Sequence, residues 1–147
     1  MHKEILKPRL IIGGRHTDDR GVVSFINDFE MEPVKRVYFI EHANTSFIRG
    51  WQGHLKENKW FYVVKGAFDM RLLATESFSS PFEQVNLFSY TMDAAQPMVL
   101  HVPGGFLTSF RALEEGAILQ VFSDFTVQES KDDDYRFPLD KWNIWNS

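Results

Sequence analysis

Between Arg9 and Phe125 the chain is cut into short runs of β-branched and aromatic residues, each separated from the next by turn chemistry. RLII at 9–12, VVSFI at 22–26, VKRVYFIE at 34–41 and WFYVV at 60–64 all read as strands. So do segments 67–74, 84–92, 97–102, 106–113 and 116–125, and no window holds a helical period of useful length. Gly13-Gly14, Asp19-Arg20-Gly21, Gly104-Gly105 and Glu114-Glu115-Gly116 divide them. Runs of this length and spacing predict an all-β sandwich or barrel. The expected organisation is a single domain over 1–147, the barrel spanning about 9–127 and a tail 128–147. Fourteen phenylalanines and four tryptophans suit such an interior better than a helical bundle.

Composition removes several functions. A net charge of -4 gives no support to nucleic-acid or membrane-surface binding, although a local pair of arginines could still hold a small phosphate-bearing ligand. Without cysteine there are no disulfides and no thiol catalysis, a pattern compatible with the cytosol. The start, MHKEILKPRLIIGG, lacks the continuous apolar segment of a signal peptide, and no later stretch is long enough to span a bilayer. The expectation is a soluble, cytoplasmic protein.

The polar residues that stand out lie in Phe47–Gly66, FIRGWQGHLKENKWFYVVKG. Strand residues two apart share a face, so Gln52 and His54 can look into one cavity. An imidazole titrates near neutrality and can take and return a proton, whereas an amide cannot act as a base. Lys59 reads either as an exposed hairpin cation or as a group near that cavity. Tyr38, inside VKRVYFIE, reads as a core ring with its hydroxyl at the rim or as a ligand contact. Arg20 reads as a solvated turn residue, or as one arm of a pyrophosphate clamp completed by Arg49, because guanidinium forks match phosphate oxygens. His42 and Asn44 read as surface residues, and His101 could face the cavity or the solvent. Phe137, Leu139, Trp142 and Trp145 make a tail too apolar to float free, which should cover the barrel or a second subunit.

The spacing of Gln52, His54, Lys59 and Gly66 resembles the first motif of the cupin superfamily, in which two histidines and a glutamate hold a metal and a glycine ends the hairpin. Pro103, Gly105 and Thr108 in LHVPGGFLTSFRA stand where the second motif has proline, glycine and its last ligand histidine. Gln52, Lys59 and Thr108 thus replace three of the four usual ligands, and an ammonium at Lys59 would repel a cation, so no metal and no other cofactor is expected. The implied fold is a cupin jelly-roll barrel.

Over about Thr17 to Asp140 the chain resembles the nucleotide-sugar branch, the dTDP-4-dehydrorhamnose 3,5-epimerases and dTDP-4-keto-6-deoxyglucose 3,4-ketoisomerases. The markers are DDRG at 18–21, KRVYFI at 35–40, RGWQGH at 49–54, VKG at 64–66 and PGGFLTSF at 103–110, with KRVY, RG and the histidine closer to the ketoisomerases. The resemblance implies that Arg20 and Arg49 contact a pyrophosphate and that Tyr38 lines the sugar pocket. It also implies that His54 is the second histidine of the ketoisomerase pair and that Lys59 lies beside the pocket. Gln52 falls on the first histidine of that pair, which is also the catalytic histidine of the epimerase. The expected activity is metal-independent isomerisation of a nucleotide-linked 4-keto-6-deoxy sugar in deoxysugar biosynthesis. His54 would be the base, helped by Gln52, Tyr38 and Lys59. The alternatives are a divergent 3,5-epimerase, or a cupin that binds a nucleotide sugar without turning it over. Relatives of this branch are usually dimers with shared edge strands, so a homodimer is implied.

Overall fold

The alternating runs become strands in the computed structural model, which describes residues 7–74, 78 and 85–145. They are β1 (Arg9–Ile12), β2 (Gly14–Asp18), β3 (Gly21–Phe25), β4 (Arg36–Glu41), β5 (Ile48–His54) and β6 (Lys59–Lys65). β7 (Ala67–Ala74), β8 (Asn86–Asp93), β9 (Met98–Val102), β10 (Phe106–Ala112), β11 (Ile118–Ser123) and β12 (Tyr135–Arg136) follow. Two five-stranded antiparallel sheets, β1-β9-β6-β11-β4 and β12-β5-β10-β7-β8, face one another, and β2 and β3 form a separate hairpin. From β4 onward the chain changes sheet at nearly every turn, the winding of a jelly roll. Most of the Ser-rich connector Thr75 to Pro81, together with residues 1–6, lies outside the described residues. Among those described, no helix is long and apolar enough to cross a membrane.

Period-2 alternation decides what each strand buries. Phe61 and Val63 of β6, Phe68, Met70 and Leu72 of β7, Phe106 and Phe110 of β10, and Leu119 and Val121 of β11 fill the space between the sheets. At one end the same inward rows turn polar: Arg36 and Tyr38 on β4, Gln52 and His54 on β5, Lys59 on β6, Thr108 on β10 and Ser123 on β11. The register enforces this convergence, since Thr108 lies opposite Gln52 and Ser123 lies opposite both Lys59 and Arg36. Gly66 makes the tight β6–β7 turn at φ 77°, where an added Cβ would meet that of Ala117 at 2.8 Å.

Part of each outer face is covered. The tail packs on the barrel itself: Trp51, Leu73, Leu107 and Trp142 form a second core with Phe137, Leu139 and Trp145 against it. Burial of each such ring is worth roughly 1.5–3 kcal/mol, more than enough to hold a short tail. Trp145 Nε1 also donates to Ser109 Oγ at 2.9 Å, and the Arg71 guanidinium stacks 4.0 Å above its ring. On the opposite sheet Ile26, Phe29 and Val34 cover Trp60 and Val99. His101 belongs to that outer layer: it stacks on Trp60 at 4.9 Å and bonds Asn58 Oδ1 at 3.0 Å, on the outer face of the sheet rather than in its interior.

From sequence the barrel ends near 127 in an acidic polar stretch. Past that point the structure has a short helix, α1 (Val127–Lys131), then β12, which adds to the edge of β5. Thr126 and Glu129 close a capping box, each side chain bonding the other's backbone N–H. That box starts the helix, and its TVQE signature is visible in the sequence.

Candidate active site

The polar end of the barrel opens on a cavity of about 570 Å³, within the range that encloses a drug-sized ligand or cofactor. β4 contributes Arg36 and Tyr38, β5 contributes Arg49 and Gln52, β6 contributes Lys59, and β10 contributes Thr108. The segment after β11 supplies the remaining wall with Ser130, Lys131, Asp134 and Arg136. Five cationic side chains thus meet one carboxylate in a protein whose net charge is -4. Such a concavity concentrates positive potential and favours an anionic ligand.

Tyr38 lies close to two of these cations, with Arg36 Cζ 5.0 Å and Lys59 Nζ 5.8 Å from its ring centroid. Lys59 is 6% exposed, and among the described residues no carboxylate lies within ion-pair distance of it. It is a wall residue of the cavity rather than an exposed hairpin cation. Gln52 Nε2 donates to Asp134 Oδ1 at 3.0 Å, and Thr108 Oγ1 donates to the Gln52 carbonyl at 3.3 Å. Burial acts to raise the Asp134 carboxyl, but bonds from Gln52 and Arg136 outweigh it and leave the pKa below the ordinary aspartate value.

His54 is not in the cavity wall. It lies buried behind it, two residues along the same face of β5 from Gln52. Its Nδ1 is 2.6 Å from the Asp133 carbonyl oxygen. A carbonyl only accepts, so Nδ1 carries the hydrogen and Nε2 is left with the lone pair. Nε2 is closed from solvent and has no partner. Burial is the largest influence lowering the imidazole pKa, with the Lys59 charge next, while Glu57 and Asp133 oppose them. The ring is therefore held neutral, as a base must be before it accepts a proton.

Two carboxylates that no sequence motif singles out organise this histidine. Asp133, 6% exposed, accepts from the backbone N–H groups of Leu55, Lys56 and Glu57 at 2.8, 2.9 and 2.8 Å, tying down the whole β5–β6 turn. Glu57, 1% exposed, accepts from Ser123 Oγ and Ser130 Oγ, both at 2.6 Å, and from Arg36 Nη2 at 3.2 Å. Its Oε1 is 3.4 Å from His54 Nδ1. Among the described residues no three His, Asp or Glu side chains converge as a metal site.

Of the residues singled out by sequence, the structure brings Gln52, Tyr38, Lys59 and Arg49 to one cavity, with His54 behind them. Arg20 is elsewhere: it stands at the tip of the β2–β3 hairpin with its Nη2 2.6 Å from Asp18 Oδ2, because the tight turn places that carboxylate two residues away. His42 is more enclosed than a surface residue. Its ring stacks on Phe110 at 5.4 Å with both nitrogens closed from solvent, and burial, with the Arg49 charge second, lowers its pKa.

No family model matches the chain, and no curated protein matches it. Solved structures do match. A dTDP sugar isomerase from Desulfovibrio desulfuricans superposes at TM-score 0.71 and 18% identity, over 91% of this chain and 85% of that one. The sugar 3,4-ketoisomerase from Thermoanaerobacterium thermosaccharolyticum in complex with TDP matches at TM-score 0.66 and 19% identity, over 88% of each chain. A 3'-monoepimerase from Streptomyces bikiniensis in complex with dTDP-quinovose matches at TM-score 0.71 and 19% identity, over 95% of this chain and 74% of that one. This chain shares their fold, the cupin jelly roll.

Proposed function

We propose that the chain is a metal-independent isomerase of a nucleotide-linked 4-keto-6-deoxy sugar. The observation that carries the reading is the cavity itself: five cations around Tyr38 and Gln52 at the mouth of a cupin barrel, with a neutral histidine directly behind. Arg49, Arg36 and Arg136 are placed to hold a diphosphate. The fold neighbours that bind TDP or a dTDP-sugar support that ligand class. Lys59 and Tyr38 can donate to an oxyanion on the sugar.

The chemistry needs one base. A 4-ketone acidifies the hydrogen on C3; the C3–H bond breaks, its proton goes to His54 Nε2, and the electron pair forms an enediolate with charge on O4. The proton returns to C4 on the same face as the O3 hydroxyl proton passes to O4, so a 4-ketone becomes a 3-ketone with no change in atoms. Nε2 is closed off behind the cavity wall in this structure, so the proposed transfer requires that wall to open on binding. Incubation with a dTDP-4-keto-6-deoxyhexose in deuterated water is expected to place deuterium at C3 or C4. In His54→Ala that exchange should drop by at least 10²-fold. Exchange that persists in His54→Ala removes the histidine from the reaction.

A second reading, binding without turnover, is favoured by one observation, the closed position of Nε2 outside the cavity wall. Tight binding of the sugar nucleotide with no exchange in the wild type would establish it.

The same proposal has the chain as a homodimer. Ile12 on the edge strand β1 is 61% exposed, and Val23, exposed by 62%, shares one face of the β2–β3 hairpin with exposed Phe25; exposed apolar residues on an open strand edge and a hairpin face suit a second copy. Sedimentation equilibrium should return twice the chain mass, and a monomer at micromolar concentration would refute it.

A further inference from the structure

Glu57 is the most deeply buried charged side chain among the described residues, and nothing in the isomerase chemistry above uses it. Its two oxygens face different ways. Oε1 meets Ser130 Oγ at 2.6 Å and His54 Nδ1 at 3.4 Å, while Oε2 meets Ser123 Oγ at 2.6 Å and Arg36 Nη2 at 3.2 Å. Arg36 is in the cavity wall, and its Nε is closed from solvent with no partner, so the guanidinium is only partly used. One carboxylate thus joins a cation that faces the ligand to an imidazole that does not.

We infer that Glu57 is a positioning residue that couples the anion-binding wall to His54 through Arg36. The inference takes His54 as the proton acceptor of the preceding reading. In the free protein Arg36 neutralises much of the Glu57 charge, and His54 is held neutral. An anion bound against Arg36 draws the guanidinium charge away from Glu57, whose field then falls on the imidazole and raises its proton affinity. The base becomes strongest once the cavity is occupied.

The charged groups that face His54 allow the signs to be checked. Glu57 from the β5–β6 turn and Asp133 and Asp134 from the segment after α1 favour the imidazolium. Lys59 from β6 and, behind Glu57, Arg36 from β4 oppose it. β10 places uncharged Phe106 and Thr108 opposite. Removing the Glu57 charge must therefore lower the His54 pKa, and removing Arg36 must raise it.

The test is an NMR titration of the His54 ring in the full chain. Glu57→Gln is expected to lower the pKa by about one unit or more, while Glu57→Asp, which keeps the charge, stays near wild type. A structural role alone would make the two variants behave alike. Arg36→Gln is expected to raise the pKa, and by less when Glu57→Gln is also present. This arm supplies a folded variant should the buried amide of Glu57→Gln prevent folding. An unmoved pKa in either single variant, or an Arg36 effect of equal size in both backgrounds, overturns the coupling. The deuterium experiment separates the two ideas: shifted pKa values without exchange sink the isomerase reading and leave the coupling, and exchange with unmoved pKa values does the reverse.

Discussion

Asp133→Ala is expected to destabilise the protein by about 3 kcal/mol and to abolish activity at the site together with it. The side chain lost is a buried carboxylate that accepts from three successive backbone N–H groups, at Leu55, Lys56 and Glu57. A buried donor left without a partner costs about 1–3 kcal/mol; water reaches the outer two more readily than the buried N–H of Glu57, which places the sum near the lower end. The loss propagates because the turn carries the site. Glu57 lies within it, His54 precedes it, Lys59 follows it, and the Asp133 carbonyl fixes the His54 tautomer. Asp133→Asn keeps one accepting oxygen and should lose less than half as much. Urea denaturation measures both, with an unchanged m-value expected. An Asp133→Ala midpoint within the error of wild type would show that the turn holds itself together.

The contrast between what the sequence announces and what it conceals follows from chain separation. Alternation along a strand is local, so the order of residues alone places Gln52 and His54 on one face. The same rule applied to Tyr38 places Arg36 beside it, since RVYFIE points Arg36, Tyr38 and Ile40 inward and leaves Val37 and Phe39 exposed. Arg36 escapes notice all the same, because it reads as one more cation in a basic dipeptide. Glu57 and Asp133 are a different matter. Glu57 sits in KENK and Asp133 in DDD, where charge normally means solvent, and the hydroxyls and backbone N–H groups that partner them come from 66 to 78 residues away, with Arg36 21 residues from Glu57. No local pattern distinguishes a solvated carboxylate from one that receives three backbone donors. The tail is legible as apolar, but only the fold decides that it covers the barrel's own sheet.

The same distinction explains why Lys59 carries opposite consequences for stability and for function. A cation 6% exposed with no carboxylate within ion-pair distance among the described residues is an unfavourable feature of the empty protein. Neighbouring Arg36 is also positive, and Tyr38 offers both only its ring face. Lys59→Met keeps the length and apolar stem and removes the charge. It is expected to stabilise the fold by about 1 kcal/mol, raising the melting temperature by roughly 2–4 °C in a domain of this size. It should weaken thymidine diphosphate binding about tenfold and reduce exchange on the keto sugar by about 10²-fold, the usual loss when one oxyanion donor is removed. Calorimetry, a thermal melt and the deuterium assay on one preparation read all three. Opposite signs mean that the barrel tolerates a repelled ammonium for the sake of a negatively charged guest. A Lys59→Met protein that melts lower and binds the diphosphate as before would make the lysine a structural residue, and the positive cavity would then rest on its arginines and Lys131 alone.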